Sequence, residues 1–305
     1  MRTKIIVLVL ILASIGSYAQ QDAQFTQYMY NTISINPAYA GSRGAMSIFG
    51  LYRTQWVGLD GAPETSSFSL NTPLNNSNLG LGVSLLNDKI GPTNENTLSA
   101  DLSYTVPTSE TFKLSFGIKA SANLFNLDIN KLNPENQGDP QFQDLNSKIS
   151  PNIGAGVYWH SDKAYIGLSV PNFIETNRYS DNDVAIYKDK INYYLIAGYV
   201  FDLDHYQYIK FKPAILTKMV EGAPLQVDLS GNFMFNDKFV LGVAYRWSAA
   251  ISAMAGFQIT DGLYIGYGYD HETTRLNKYN SGSHEIFLRF EFLKNYSRIT
   301  SPRFF

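Results

Sequence analysis

The side chains best suited to chemistry are scattered along this chain. Four histidines, His160, His205, His271 and His284, are too far apart to form a ligand pair at i, i+2 or i, i+4, and there is no cysteine. No metal ligand set, disulfide framework, cysteine nucleophile or acylated cysteine is therefore expected. Ser283, His284 and Glu285 put a hydroxyl, an imidazole and a carboxylate side by side. A serine hydrolase needs its base within hydrogen-bond reach of the nucleophile. Successive strand residues point to opposite faces, so these three cannot make a triad among themselves. Gly80-Leu81-Gly82 and Gly266-Tyr267-Gly268 are followed by no helical pattern that would place a dipole behind a phosphate. They read as small residues that accommodate close packing or strand curvature. No catalytic residue, metal ligand or cofactor site is expected.

The remaining candidates are charges on one face of alternating segments: Lys113, Lys119, Lys210, Lys212, Asp228, Arg246, Arg289 and Glu291. Their meaning depends on what those segments form. From about Ala45 onward the pattern has period two. Phe112, Leu114, Phe116, Ile118, Ala120, Ala122 and Leu124 fall on one face, with Lys113, Ser115, Gly117, Lys119, Ser121 and Asn123 on the other. Phe239, Leu241, Val243, Tyr245 and Trp247 alternate in the same way, and near the end Ile286, Leu288, Phe290 and Phe292 oppose Glu285, Arg289 and Glu291. Segments of about ten residues, apolar on one side and polar or small on the other, are the signature of a transmembrane barrel strand.

Turn residues divide the chain into about fourteen such strands, near 45–57, 64–73, 78–88, 95–106, 112–128, 152–161, 164–171, 190–202, 206–219, 225–236, 238–248, 250–260, 262–272 and 283–293. Connections after even-numbered strands are short, and the long ones, near 129–151, 172–189 and 273–282, all follow odd-numbered strands. That parity is expected of a barrel with short turns on one side of the membrane and long loops on the other. The predicted fold is an all-β, transmembrane antiparallel β-barrel of about 14 strands. With a periplasmic N-terminus, the long loops lie outside. A soluble β-sandwich or propeller also alternates. However, tyrosine (21) and phenylalanine (19) cluster near strand ends, where an interfacial girdle would sit, and no repeat of propeller length is present.

The composition agrees. Hydrophobic residues make up 45% and charged residues only 16%, with 24 Lys and Arg against 26 Asp and Glu, a net charge of −2 that disfavours nucleic-acid binding. Arg2 and Lys4 precede an apolar run from Ile5 to Ala13, and Ser17-Tyr18-Ala19 offers small residues for a signal peptidase. The run is about half the roughly 20 residues a spanning helix needs. Residues 1–19 are expected to be a cleaved signal peptide, 20–44 a periplasmic lead-in or plug, 45–293 an outer-membrane barrel and 294–305 a periplasmic C-terminal tail.

A barrel this wide must be water-filled or plugged. The segment before the first strand carries Phe25, Tyr28, Tyr30 and Tyr39, large aromatics that no lipid face can take and that must pack against something. Asn36-Pro37 should fix a turn there. Phe25, Tyr28, Tyr30, Asn36, Pro37 and Tyr39 are accordingly the candidate plug or partner-binding residues.

Particular strings go further. Gln24-Phe25-Thr26-Gln27-Tyr28-Met29, Ile35-Asn36-Pro37-Ala38-Tyr39-Ala40-Gly41-Ser42, Arg53-Thr54-Gln55-Trp56-Val57-Gly58 and Gly61-Ala62-Pro63 occur in that order. Asn87-Asp88-Lys89-Ile90-Gly91-Pro92, Gly167-Leu168-Ser169-Val170-Pro171-Asn172, Ser283-His284-Glu285 and the terminal Ser301-Pro302-Arg303-Phe304-Phe305 follow. Together they resemble the PorP/SprF-like outer-membrane proteins of the type IX secretion system over essentially the whole mature chain. Ala23 departs from the proline often found there. The resemblance implies an integral outer-membrane protein that supports secretion, surface retention of substrates such as gliding adhesins, or assembly of the apparatus. It implies as partners the C-terminal region of a secreted protein, periplasmic secretion components, or both, in contact with outer-membrane lipid. It brings no catalytic residue and no cofactor. The competing classes are a porin-like or fatty-acid-transporter-like small-molecule channel, which a filled lumen would disfavour, and an outer-membrane lipid hydrolase, for which no Ser-His-acid constellation is visible.

Overall fold

A computed structural model describes Thr26, residues 28–74, 77–128, 145–176 and 190–292, and Ser301, Arg303 and Phe305. The proposed leader, Phe25, most of the tail and parts of two long connections lie outside these residues.

Fourteen strands follow one another: β1 (Met46–Thr54), β2 (Glu64–Pro73), β3 (Leu79–Ile90), β4 (Thr93–Pro107), β5 (Lys113–Leu127), β6 (Leu145–His160), β7 (Ala164–Val170), β8 (Asn192–Tyr199, continued by Phe201–Asp202), β9 (Ile209–Val220), β10 (Gln226–Phe235), β11 (Phe239–Arg246), β12 (Ala250–Gln258), β13 (Leu263–Glu272) and β14 (Ser283–Phe292). Each pairs antiparallel with its sequence neighbours, and β1 pairs with β14 from Met46↔Phe292 to Thr54↔His284. The sheet therefore closes on itself without an edge. Closure follows from the solvent: lipid offers no hydrogen bonds, so every strand's backbone must be satisfied by another strand. Among the described residues no helix is long and apolar enough to cross a membrane.

Faces follow the alternation. On β4, Ser99, Asp101 and Ser103 are buried while Leu98, Leu102 and Tyr104 are exposed; on β5, Ser115 and Lys119 are buried while Phe116 and Ile118 are exposed. Polar side chains buried and apolar ones exposed is the reverse of a water-soluble protein. It is what a barrel in lipid requires.

All fourteen strand expectations find a strand, but two details differ. β6 begins at Leu145, inside the stretch expected to be a loop up to 151. Pro151 lies opposite Ala122 of β5. On its other side β7 covers only Ala155–His160. Ile153 turns its carbonyl that way, to the Phe173 N–H (2.8 Å), and Pro151, two residues earlier, shares that orientation. Its missing N–H therefore falls on an edge without a strand partner among the described residues, where proline is tolerated. β8 is interrupted at Val200, whose N–H goes instead to the Lys163 carbonyl (2.8 Å). Lys212 and Pro213 lie opposite this gap, and Pro213 has no N–H for the ladder.

The outward face yields a test of depth. Ile118, 61% exposed in the middle of β5, and Ile259, 51% exposed in the β12–β13 turn, should respond differently to the same substitution. Ile118→Arg should destabilise the barrel by about 2–4 kcal/mol and Ile259→Arg by about 0–1 kcal/mol. Urea titration of the folded, heat-modifiable band in liposomes measures both.

Candidate functional site in the barrel lumen

The chain from Thr26 to Arg43 lies inside the barrel. It has no periodic apolar stripe and forms no long helix. It coils into three one-turn 3-10 helices, Tyr28–Tyr30, Thr32–Ser34 and Pro37–Tyr39. Short polar side chains make the turns by bonding to the local backbone. Ser34 Oγ donates to the Asn31 carbonyl (2.7 Å), and Asn36 Oδ1 accepts from the Ala38 N–H (3.0 Å), with Pro37 at the first helical position. Tyr28, Met29, Tyr30, Ile33, Asn36, Ala38 and Tyr39 are all buried, Ile33, Asn36 and Ala38 completely.

The segment descends the lumen while visiting most of the wall. It starts at Thr26, level with the long-loop ends of β1, β13 and β14, and reaches Arg43 beside Glu291 at the short-turn end of β14. Between these, Asn31 exchanges hydrogen bonds with Ser67 and Ser69 of β2 (3.2 and 3.0 Å), and Lys119 of β5 donates to the Ser34 carbonyl (3.0 Å). Ser169 of β7 donates to the Ile35 carbonyl (2.7 Å), Asn36 Nδ2 to the Val157 carbonyl of β6 (3.1 Å), and Ser103 of β4 to the Ala40 carbonyl (2.7 Å). Wall glycines make room. A Cβ on Gly117 would sit 2.2 Å from the Ala38 nitrogen, and one on Gly80 2.3 Å from the Ala40 carbonyl oxygen. Close approach, rather than phosphate binding, accounts for Gly80 and Gly82.

Two charged clusters hold the ends. At the long-loop end, Arg53 of β1 donates to Asp270 of β13 (2.7 Å), to Glu285 of β14 (3.1 Å) and to Thr26 Oγ1 (2.7 Å). Thr26 itself donates to Asp270 through its hydroxyl (2.5 Å) and to Glu285 through its backbone N–H (3.1 Å). All three charged side chains are at most 3% exposed. At the short-turn end Arg43 pairs with Glu291 and donates to the Tyr39 hydroxyl (3.3 Å). The Tyr30 ring stacks on Tyr264 and lies 4.6 Å from Phe287, and the Arg289 guanidinium covers the Tyr264 ring at 4.7 Å.

The last residues close the same mouth. Arg303 donates to the carbonyls of Ser42 (2.7 Å) and Ser161, and its own carbonyl accepts from Lys212 Nζ (3.2 Å). Phe305 lies over that ammonium at 4.8 Å. The described part of the C-terminus thus straps the segment to the β6–β7 turn and to β9.

Of the candidates named from sequence, Tyr28, Tyr30, Asn36, Pro37 and Tyr39 share the lumen, and Phe25 lies outside the described residues. Tyr30 meets the Tyr264 hydroxyl at 3.0 Å, and Tyr39 packs edge-on against Tyr158. The segment was expected to be a plug or to dock a periplasmic partner; its described part lies inside the wall and begins at the long-loop end. Arg53, Asp270, Glu285 and Arg303 were missed as site residues. Their signal was closure: once the first and last strands pair, Arg53 falls directly opposite Glu285. The histidines stay apart. His160 faces inward, whereas His284 faces outward against the Tyr267 hydroxyl (2.6 Å), away from the inward Ser283 and Glu285. Among the described residues no group of side chains could hold a metal ion.

Removing one partner from a buried ion cluster leaves an uncompensated charge, which costs about 3–5 kcal/mol. Arg53→Met should therefore destabilise the folded barrel by that order. Adding Asp270→Asn and Glu285→Gln should restore part of the loss, since no lone carboxylate then remains. Urea titrations of the single and triple variants read the difference.

Similar solved structures include the CymD monoaromatic hydrocarbon channel, at 12% identity over 89% of this chain and 94% of that one, with a TM-score of 0.49. The TodX ΔS2S3 mutant monoaromatic hydrocarbon channel follows at 8% identity, 88% and 94% coverage and 0.48, and a Pseudomonas aeruginosa FadL homologue at 13%, 82% and 89%, and 0.42. No curated protein matches in sequence. The family model of the type IX secretion system membrane protein PorP/SprF matches residues 17–290, which include the lumen segment and nearly the whole wall. This chain belongs to the PorP/SprF family of type IX secretion system membrane proteins.

Proposed function

We propose that this protein is a non-enzymatic, plugged outer-membrane component of the type IX secretion system. Residues 1–19 direct export and are removed after Ala19, the short-turn end faces the periplasm and the long-loop end faces outward. In that setting the protein supports secretion, surface retention of secreted proteins such as adhesins, or assembly of the apparatus. Its partners are the C-terminal region of a secreted protein, periplasmic components, or both.

The observation that carries this reading is the filled lumen. A small-molecule channel needs a path through its lumen, and here the buried residues Tyr30, Ile33, Asn36 and Tyr39 occupy the middle of that path. The segment is fixed by hydrogen bonds between Thr26 and a buried ion cluster at one end and by the Arg43–Glu291 ion pair and the Ser42 carbonyl contact at the other, not by a loose hinge. Such a barrel works through its surfaces. The wall supplies a rigid frame, and the plug keeps the outer membrane sealed.

Deleting residues 24–41 tests this. The shortened protein should still fractionate with the outer membrane as a heat-modifiable barrel and should gain a large single-channel conductance, while secretion or surface retention is lost. Normal secretion by the deletion strain would remove the segment from the mechanism. An intact chain that already conducts small solutes would favour the channel instead.

A further inference from the structure

At the long-loop end, four connections are stitched into one ordered rim. Thr273 N–H bonds to the Ala249 carbonyl (2.8 Å), Val57 N–H to Gly282 (2.9 Å), Ser281 N–H to Val57 (2.8 Å) and Gly91 N–H to Gly61 (2.9 Å). Trp56 Nε1 donates to Glu272 (3.0 Å). On this rim the β13–β14 connection raises a short 3-10 helix, Arg275–Lys278, that buries none of its residues. Hydrogen bonds shape it instead of apolar packing. Thr274 caps the Leu276 N–H (3.3 Å), Asn280 Nδ2 donates to the Leu276 carbonyl (2.7 Å), Asn280 Oδ1 accepts from Gly282 (2.8 Å), and Tyr269 reaches the Ser281 carbonyl (3.0 Å).

The result is a fixed knob displaying Arg275, Leu276, Lys278 and Tyr279, with Tyr279 69% and Leu276 38% exposed. Neither cation forms an ion pair among the described residues, and the nearby Glu272 is committed to Trp56. The wall aromatics that meet lipid, such as Tyr245 and Tyr267, project from strands. Leu276 and Tyr279 project from a connection beyond the last ladder pairs, Ala250↔Glu272 and Asp270↔Ser283. A rigid aromatic side chain flanked by unpaired cations loses little entropy on binding and suits a complementary acidic, partly apolar surface.

We propose that the Arg275–Tyr279 knob is a docking element for an acidic, partly apolar segment of a secreted protein at the cell surface. This rests on the outward orientation of the long-loop end. The tests use full-length protein in detergent, with a fluorescent random copolymer of glutamate and tyrosine as probe. Its lysine–tyrosine counterpart and lipid A micelles serve as comparisons. The glutamate copolymer should bind, and the R275E/K278E variant and Tyr279→Ala should each bind it about tenfold more weakly, the scale of losing rim charge pairs or one aromatic anchor. Lys89→Glu, an exposed charge change elsewhere on the long-loop end, should leave binding unchanged, and heat-modifiability should be retained throughout. Equal binding by all variants would overturn the proposal, as would preference for the lysine copolymer, or for lipid A through the same residues. The orientation has its own readout. The chain has no cysteine, so Lys278→Cys provides a unique label, and it should react with a membrane-impermeant maleimide on intact cells. Labelling only after permeabilisation would overturn the orientation and the proposal with it, whereas surface labelling without probe binding would overturn the knob alone.

Discussion

Closure of the sheet in a solvent that offers no hydrogen bonds is the constraint from which the rest of the structure follows. An open edge in lipid would leave a row of unsatisfied backbone groups, so β1 must find β14. Eight strands would leave an interior just wide enough for wall side chains to fill. Fourteen leave more space than that, and the inward residues here are often small: Ser67, Ser69, Ser99, Ser103, Ser115 and Gly117. The remaining space must hold water or chain. In this protein it holds the chain's own N-terminal segment, and the glycines that would otherwise weaken the wall become the surface on which that segment rests.

The lumen is therefore a second core with unusual composition. It combines an aromatic centre, Tyr30, Phe49, Tyr264 and Phe287, with buried ion clusters towards either end. Buried ion pairs are poor sources of net stability, because desolvation offsets most of the Coulombic gain. They do impose register. Sliding the segment by a residue would part Thr26 from Asp270 and Glu285 at one end and Arg43 from Glu291 at the other. Apolar packing retains the plug, and the charges fix where it sits.

Much of the wall was legible from alternation alone, because in a lipid-facing strand the two faces differ sharply in chemistry and turn residues mark the ends. The fourteen strands, the parity of the loops and the opposite faces of Ser283 and His284 all follow from that single periodicity. One strand start was misplaced: β6 runs back through Pro151 to Leu145, where β7 no longer accompanies it. The lumen segment was legible only as a problem, aromatics with nowhere to go. Its path depends on contacts between residues far apart in sequence, such as Thr26 with Asp270 and Glu285, and no local pattern encodes those. The strap made by Arg303 and Phe305 was hidden for the same reason.

The position of Thr26 has a consequence for assembly. It is bonded to β13 and β14 and, through Arg53, to β1, so it straddles the seam where the first and last strands meet. Those strands are separated by nearly the full length of the chain, and contacts of such long range form slowly. Until they form, Asp270 and Glu285 lack the guanidinium of Arg53. Threading the N-terminal segment and zipping the seam are thus a single late kinetic event, and a nascent barrel that closed around an empty lumen would have to reopen to admit its own plug.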